Sequence, residues 1–299
     1  MNDVTHRDWT GKRVAIIGGD RREQEIARAA AATGATVRAF GFPWPDGGID
    51  RVTLASSPRE AATGADIVLL PLPGMTGNTV FSPQVAAPVV VDRAVLEGMA
   101  PGGLVMGGTA NAPLTAAIND LGLTFVGYEH DEAGRIARAP AIAEGAIARI
   151  ITDTDFTIRG AAVAQIGYGV VGQHVATALK ALGAKTHVLA RQAAQQDAAR
   201  AAGHLASSLP APEVLSAADI LVNTAPALVV DEAVLMATRP DCVIFDLASP
   251  PGGVDRDAAA RLGRRFVWAR GLGATAPQSV GRAQWDVIAR IAEGHLFKV

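Results

Sequence analysis

The feature that most constrains this chain is a glycine turn between an apolar segment and a helical one. Residues 161–166 have the short, apolar composition of a buried β-strand, and they run into glycines spaced as G-x-G-x-x-G. In such a strand-turn-helix unit the glycines permit a tight turn, close approach of a pyrophosphate and close packing of helix on strand. The N–H groups at the helix start favour bound phosphate. The pattern predicts a dinucleotide-binding turn made of Gly167, Tyr168, Gly169, Val170, Val171 and Gly172.

The end of the next predicted strand, 185–191, bears on which dinucleotide is bound. Enzymes that use NAD place Asp or Glu there, against the ribose 2′-hydroxyl. This chain instead has Ala190, Arg191 and Gln192. Because no carboxylate would repel a 2′-phosphate and Arg191 could pair with it, NADP is favoured over NAD, which stays open. The alternative is that Arg191 is an ordinary solvated charge.

Composition limits the class of protein. The chain has 299 residues, 49% of them hydrophobic, a length typical of about two domains. A net charge of −2 argues against a nucleic-acid partner. No apolar run is long enough to span a membrane, the start 1–13 is polar rather than signal-like, and the single cysteine, Cys242, has apolar neighbours. We therefore expect a soluble, cytoplasmic protein with a buried thiol.

The order of these patterns predicts an α/β fold. Residues 12–20 are a second apolar run that ends in glycines, and 21–33 continue it as a helix, without a second dinucleotide motif. We expect two Rossmann-like, doubly wound parallel-sheet domains separated by a cleft: a substrate-side domain, 1–138, and an NAD(P)-binding domain, 139–276. An amphipathic helix, 277–296 within the last segment 277–299, is expected to fold back on the first domain. The other predicted strands are 35–40, 66–70, 104–106, 124–126, 219–223, 242–246 and 265–268, and the other predicted helices are 59–62, 92–99, 114–121, 140–151, 173–182 and 192–202.

The first half carries the candidates for substrate binding. The loops 71–78 and 107–111 follow apolar strands, at the edge where open α/β sheets bind ligands. Arginine, hydroxyl and amide groups there could bind an anion, although capping and solvation also explain each of them. The candidates are Arg21, Arg22, Thr76, Thr109 and Asn111.

Several segments of this chain resemble a known family. The most specific are T-D-F-T-I-R-G at 154–160 and D-L-A-S-P-P-G-G-V-D at 246–255, because neither follows from a Rossmann fold alone. Over about residues 12–291 the chain resembles the A subunit of dipicolinate synthase. Shorter segments that carry the resemblance are 17–21, 80–82, 144–147 and 223–224.

The resemblance implies an NAD(P)-dependent oxidoreductase that makes pyridine-2,6-dicarboxylate from a hydrated or dihydro precursor of the lysine pathway. It also implies a partner, a flavoprotein-like B subunit, in endospore-forming bacteria, and we expect a homo-oligomer. The chain departs from the family where residues 138–142 replace N-S-x-P-T, where Val170 replaces an arginine and where Gln278 replaces a lysine. These departures leave open another cyclic imine acid as the substrate.

Turning a dihydropyridine dicarboxylate into an aromatic ring requires cations for its carboxylates, a nicotinamide beside a ring C–H and a base for the remaining proton. For the base we consider His130, between the two predicted domains, and Glu144, near the predicted start of helix 140–151. The alternatives are a surface histidine and a helix-starting carboxylate. Two strand ends of the cofactor domain are expected to face the nicotinamide. They carry Asn223, Thr224, Ala248 and Ser249.

Two other functions stay open: a 2-hydroxy-acid or amino-acid dehydrogenase of similar build, and a subunit that binds NADP without turnover. The sequence contains none of the motifs G-x-S-x-G, C-x-x-C and H-E-x-x-H, and its six histidines are scattered singly. We therefore expect neither a hydrolase nor a metal site.

Overall fold

The computed structural model describes residues 7–297, and the chain divides into two compact units. The first unit is Met1–Arg138 with Ala276–Val299, and the second is Ala139–Thr275. In both units strands alternate with helices along the chain.

Within residues 7–138 the first unit contains nine strands, four complete helices and the start of a fifth. Its strands are β1 (Arg13–Ile17), β2 (Thr36–Phe40), β3 (Val52–Leu54), β4 (Ile67–Leu69), β5 (Met75–Thr76), β6 (Thr79–Val80), β7 (Val89–Val90), β8 (Leu104–Gly107) and β9 (Thr124–Gly127). Its helices are α1 (Arg21–Ala32), α2 (Pro58–Ala62), α3 (Arg93–Leu96), α4 (Ala112–Asp120) and α5 (Glu132–Asp153), which continues into the second unit.

The second unit has a more regular alternation, and a last helix returns from it to the first unit. Its strands are β10 (Ala162–Ile166), β11 (Lys185–Leu189), β12 (Leu205–Ser207), β13 (Ile220–Asn223), β14 (Val243–Asp246) and β15 (Arg265–Trp268). Its helices are α6 (Val170–Ala181), α7 (Ala193–Ala201), α8 (Pro212–Ala217), α9 (Glu232–Ala237) and α10 (Arg256–Arg261), followed by a 3₁₀ turn (Leu272–Thr275) and then by α11 (Pro277–Leu296).

Each unit is built on one six-stranded sheet in which every neighbouring pair of strands is parallel. The strand orders are β3-β2-β1-β4-β8-β9 and β12-β11-β10-β13-β14-β15. Both are the doubly wound order in which the chain starts at the centre, builds to one edge and then crosses to the other half. The predicted pair of Rossmann-like, parallel-sheet domains is confirmed.

The first unit differs from the second by an antiparallel ribbon, β5-β6-β7, which the sequence did not predict. The ribbon covers the turn after β1. The Gly19 N–H donates to the Phe81 carbonyl over 2.6 Å, and a β-carbon at Gly18 would overlap the Val80 side chain. The resembling segments 17–21 and 80–82 are therefore in direct contact.

The connecting helix is longer than predicted. α5 begins at Glu132, and Pro140 lies inside it rather than at its start. Proline is common in the first turn of a helix, and for this reason the sequence pattern points to a start at 140. The residues before Pro140 include good helix formers such as Glu132 and Arg135, so the helix begins before the proline and continues past it.

Helices cover both faces of each sheet because the strands are apolar on both sides. In the first unit α11 packs on α1, and the rings of Trp9 and Trp285 lie 5.2 Å apart. The predicted burial of Cys242 is confirmed. Within residues 7–297 no helix is both long and apolar enough to cross a membrane.

Candidate functional site

The glycine turn of the second unit has the geometry that a bound pyrophosphate needs. Gly167 has φ +94°, a conformation that side chains disfavour. A β-carbon at Gly172 would lie 2.7 Å from the Gly167 carbonyl oxygen, so α6 can approach the turn only with glycine there. Within the described residues, a β-carbon at Gly169 would meet nothing within 4 Å. Protein atoms therefore pack tightly against the turn at Gly172, while the space beside Gly169 is open to a ligand.

The start of α6 leaves its amides available. Gly169 is the N-cap residue and has no side chain to accept from them, and the first turn of α6 contains no acidic residue. The first N–H groups of a helix have no partner within the helix, and they carry its positive dipole end. Val170, Val171 and Gly172 thus contribute backbone donors suited to a pyrophosphate.

Two polar side chains hold this turn in place by donating hydrogen bonds to its backbone carbonyl groups. Thr224 donates from its hydroxyl to the Ile166 carbonyl over 3.1 Å. The fully buried Gln165 donates to the carbonyls of Gly167 (3.0 Å) and Gly172 (2.8 Å). Thr224 thus supports the turn through its side chain. The role of Gln165 was not predicted. A polar glutamine within an otherwise apolar strand is the sequence feature that could have indicated it.

Tyr168 contributes to the turn with its backbone. Its side chain is buried among residues of α6, β11 and α7, with the ring 6.0 Å from that of His204 in an edge-on arrangement. Burial raises the pKa of the Tyr168 hydroxyl. The tyrosine therefore anchors the glycine turn to the α6 side of the sheet.

The end of β11 lies beside the turn, because the Gly167 N–H donates to the Leu189 carbonyl over 2.9 Å. Ala190 is buried, whereas Arg191 and Gln192 are exposed. Within the described residues Arg191 forms no ion pair. An unpaired cation therefore stands at the position where a ribose-binding carboxylate would be expected.

A buried pair joins the next two strand ends. Asn223 and Asp246 lie side by side in the sheet register, and the Asn223 amide donates to Asp246 over 2.8 Å. Asp246 also accepts from the N–H groups of Ala248 (3.1 Å) and Gly253 (2.7 Å). Asn223 in turn bonds both the N–H and the carbonyl of Ala225. These two side chains fix the loops rather than present free groups.

An aromatic ring flanked by two arginines is hydrogen-bonded to the loop after β14. The Trp268 indole donates to the Ala248 carbonyl over 3.0 Å. The guanidinium groups of Arg256 and Arg270 lie 4.7 and 4.9 Å from the Trp268 ring centre. Ala248 is thus buried and held in place, while Ser249, next to it, is exposed.

The corresponding turn of the first unit, between β1 and α1, is unfavourable for binding a phosphate. Asp20 caps α1 and accepts from the Arg22 N–H over 3.0 Å, and Glu23 accepts from the Asp20 N–H over 2.7 Å. Two carboxylates therefore occupy the helix start. The capping side chains engage amide donors and add negative charge at this helix start, which disfavours a bound pyrophosphate there.

Glu23 is an unusual member of this cap. It is 3% exposed, and a β-carbon at Gly19 would overlap its carboxyl group. Burial raises the pKa of Glu23 to about 7 in spite of the neighbouring Arg22 cation. Burial, with a further contribution from Glu23, also raises the pKa of the Tyr128 hydroxyl.

The predicted substrate residues are spread over several surroundings. Arg21 is exposed at the start of α1, and Arg22 is paired with Asp20. Asn111 is the N-cap of α4: it accepts from the Leu114 N–H over 2.9 Å, and its amide donates to the Gly77 carbonyl. Thr76 and Thr109 are exposed at the ribbon and after β8.

The two candidate bases are also exposed. His130 lies in the turn before α5, in the first unit. Glu144 lies in the middle of α5, not near its start, so stabilisation by the helix dipole does not apply to it and that expectation was wrong. Its neighbour Gly145 is a packing residue, because a β-carbon there would lie 2.7 Å from the Leu272 carbonyl oxygen. Within the described part of the chain, His, Cys, Asp and Glu form no group of three that could hold a metal.

Comparisons with known proteins agree with this geometry. Residues 13–128 match the family described as the N-terminal domain of the dipicolinate synthase A subunit. Residues 137–245 match the NAD-binding domain of D-isomer-specific 2-hydroxyacid dehydrogenases. The open turn and uncapped α6 of the second unit are the parts that such a domain uses to bind a nicotinamide dinucleotide.

Relatives cover almost the whole chain. The A subunit of dipicolinate synthase from Bacillus subtilis (strain 168) is 30% identical over 289 residues, which is 94% of this chain and 96% of that one. The crystal structure of the A subunit from Bacillus halodurans is 33% identical, with a TM-score of 0.86 over 94% of this chain and 98% of that one. The crystal structure of the Bacillus subtilis protein is 29% identical, with a TM-score of 0.82 over 96% and 97%. The resemblance found in the sequence is confirmed, and the chain belongs to the family of dipicolinate synthase A subunits.

Proposed function

We propose that this protein is an NADP-dependent oxidoreductase that forms dipicolinate, in the role of the dipicolinate synthase A subunit. The observation that carries the proposal is the turn open at Gly169 and followed by an uncapped α6, in a chain 30% identical to a dipicolinate synthase A subunit over 94% of its length. The proposed substrate is dihydrodipicolinate or its 4-hydroxytetrahydro precursor.

The reaction divides into two parts. The hydroxylated precursor loses water to give dihydrodipicolinate, and that ring becomes aromatic when one carbon loses a hydride and a base takes one proton. Oxidised NADP, when bound, accepts the hydride. The chain's own part is to hold the pyrophosphate at α6, to bind the carboxylates and to take the proton. We assign the proton to His130 or Glu144, whose exposed side chains are free to reach a ligand.

The preference for NADP rests on charge at the end of β11. Arg191 is exposed and forms no ion pair among the described residues, and its neighbours Ala190 and Gln192 are uncharged. A 2′-phosphate gains a charge-assisted hydrogen bond from a guanidinium, whereas the NAD ribose lacks the carboxylate partner that it prefers.

Partners are proposed from family membership. The macromolecular partner is a flavoprotein-like B subunit, the ligand is a small dicarboxylate, the assembly is a homo-oligomer and the location is the cytoplasm. Similarity to dipicolinate synthase A subunits over nearly the full chain supports the existence of a B partner.

A second candidate is a dehydrogenase acting on another cyclic imine, 2-oxo or 2-hydroxy acid. The match of 137–245 to 2-hydroxyacid dehydrogenases and the altered segment 138–142 favour it. An NADP-binding subunit without turnover is the third.

One assay separates these functions. The purified protein receives NADP or NAD with freshly generated hydroxytetrahydrodipicolinate or, separately, with a panel of other cyclic imine and 2-hydroxy acids. Dipicolinate and reduced cofactor are followed by absorbance. Product with cofactor reduction supports the synthase. Cofactor reduction only with other acids supports the second candidate, and cofactor binding without reduction by any acid supports the third.

A further inference from the structure

A buried polar cluster in the first unit is incompletely hydrogen-bonded. It contains Tyr128, which packs in the same apolar cluster as Trp285 and Val287 of α11, together with Arg138 in α5 and Gln284 in α11. Gln284 is 1% exposed, and among residues 7–297 neither its amide nitrogen nor its amide oxygen has a hydrogen-bond partner. Because burying an unpaired polar group is unfavourable, a polar ligand or a water would stabilise this side chain.

The contacts of α11 place Gln284 near α1 and α5. At Gly281 a β-carbon would lie 2.6 Å from the Arg22 carbonyl oxygen, and at Gly134 a β-carbon would lie 2.9 Å from Val287. Gln284 is three residues after Gly281 and three before Val287, so its side chain leaves α11 between these two contacts. It therefore faces the space between the starts of α1 and α5.

Arg138 reaches the same space from α5. It lies one turn after Gly134, on the same side of the helix. Asp131 pairs with Arg290, and Gly134 lies against Val287, so α5 and α11 run antiparallel here and Arg138 lies about opposite Gln284. Arg138 is half-buried, and it donates to the Glu129 carbonyl over 3.1 Å.

Unlike Arg22, Arg138 has no carboxylate in direct contact among the described residues, although Glu129 attracts its charge from farther away. Among residues 7–297 it forms no ion pair, whereas Arg22 has Asp20. Burial lowers the pKa of Arg138, and repulsion from Arg22 adds to this. A guanidinium keeps its charge in proteins, so the remaining N–H donors of Arg138 are available to an anion.

We propose that Arg138 binds a carboxylate of the substrate, with the Gln284 amide and the Tyr128 hydroxyl as neutral donors beside it. The proposal rests on the proposed function, for which it names the carboxylate-binding residues. A planar guanidinium binds a carboxylate through two parallel hydrogen bonds. A bound carboxylate would also give a partner to the buried Gln284 amide nitrogen.

The test measures binding rather than turnover. Pyridine-2,6-dicarboxylate and pyridine-2-carboxylate are titrated into the full-length protein with reduced cofactor present, using calorimetry. The variants are Arg138→Met and Gln284→Met. Their matched controls are Arg135→Met, an exposed arginine one turn earlier in α5, and Gln278→Met, an exposed glutamine in the first turn of α11.

We expect Arg138→Met to weaken binding of both acids about 10- to 100-fold, by an equal factor, because one carboxylate is bound there. Gln284→Met should weaken binding about fivefold while the melting temperature stays equal or rises, since it removes an unpaired amide. If Gln284 only supports the fold or binds only a water, Gln284→Met should lower the melting temperature and leave binding of the acids unchanged.

The assignment is overturned if Arg138→Met binds within twofold of the wild-type or like Arg135→Met, or if the wild-type binds neither acid. If the wild-type makes no dipicolinate, yet carboxylate binding is lost only in Arg138→Met, the proposed function is refuted and this assignment stands. If the wild-type makes dipicolinate and Arg138→Met does so at unchanged KM, the proposed function stands and this assignment is refuted.

Discussion

Arg22 and Asp20 form a two-point ion pair at the start of α1, with Nε and Nη2 of the arginine each 2.8 Å from a carboxylate oxygen. Both side chains are largely buried, at 11% and 7% exposure. Removing one partner of a buried pair leaves the other without compensation. The pair thus makes Arg22 part of the helix cap.

We predict that Arg22→Ala lowers the free energy of unfolding by about 3 kcal/mol, because Asp20 is left buried without its cation. Urea denaturation measures this. Arg28→Ala on the same helix, which loses the more exposed pair with Glu25, should cost less than about 1 kcal/mol. Equal effects of the two substitutions would show that the Arg22 pair contributes no more than a surface pair.

The raised pKa of Glu23 makes stability depend on pH. Its folded pKa is about 7 against 4.5 for the free side chain, so the unfolded chain releases this proton first as pH rises. Stability should therefore be full below about pH 4.5 and fall by about 3 kcal/mol as pH rises through 7. Glu23→Gln should remove this loss, as judged from denaturation midpoints across that range. The exposed Glu97→Gln should keep it, and an unaltered profile in Glu23→Gln would contradict the assignment.

The two glycines of the turn should respond differently to alanine. Gly172→Ala forces a β-carbon to 2.7 Å from the Gly167 carbonyl, and we expect a loss of about 1–3 kcal/mol in stability. Gly169→Ala meets open space among the described residues, so stability should change by less than about 1 kcal/mol while cofactor affinity falls about tenfold or more. Thermal denaturation and cofactor titration separate the two effects. Unchanged cofactor affinity in Gly169→Ala would argue against a pyrophosphate at this turn.

The charge at the end of β11 should determine whether the protein prefers NADP or NAD. Arg191→Asp brings a carboxylate to the ribose 2′ position, so we expect NADP affinity to fall about 10- to 100-fold and NAD affinity to hold or improve. Titration of both cofactors measures the ratio. The exposed Arg200→Asp, on α7 of the same unit, is the control and should leave the ratio unchanged. If the wild-type and Arg191→Asp preferred NADP equally, residues other than Arg191 would determine the preference.

Long or strongly marked elements were predictable from sequence alone. β15 and α11 have the predicted bounds, and the glycine turn joins β10 to α6 as its spacing requires. These elements carry either a motif with a mechanical reason or a periodicity repeated over several turns. Several short elements were missed, although the four-residue β15 was predicted. The strands of the ribbon have two residues each, and α8, α9 and α10 have six each, too few to establish a period.

The candidate site could be predicted only where it is local in sequence. The turn at Gly167 follows from its glycine spacing, whereas its support by the Thr224 hydroxyl, 58 residues from the Ile166 carbonyl, was not predicted. The cluster of Tyr128, Arg138 and Gln284 depends on which residues of α11 meet α5, whereas the sequence predicts only that this helix folds back on the first domain. The ion pair of Arg22 is similarly hidden in the sequence, because its partner Asp20 follows two glycines and reads as part of their turn.

The measurement that tests the central claim most directly is the ratio of dipicolinate formed to NADP reduced, with purified protein and freshly generated hydroxytetrahydrodipicolinate. Both products are quantified by absorbance after separation. The proposed reaction removes one hydride for each ring that becomes aromatic, so it predicts one dipicolinate for each NADPH, with both absent when NADP is omitted. Dipicolinate accumulating at the same rate without cofactor, or NADPH forming without dipicolinate, would contradict it.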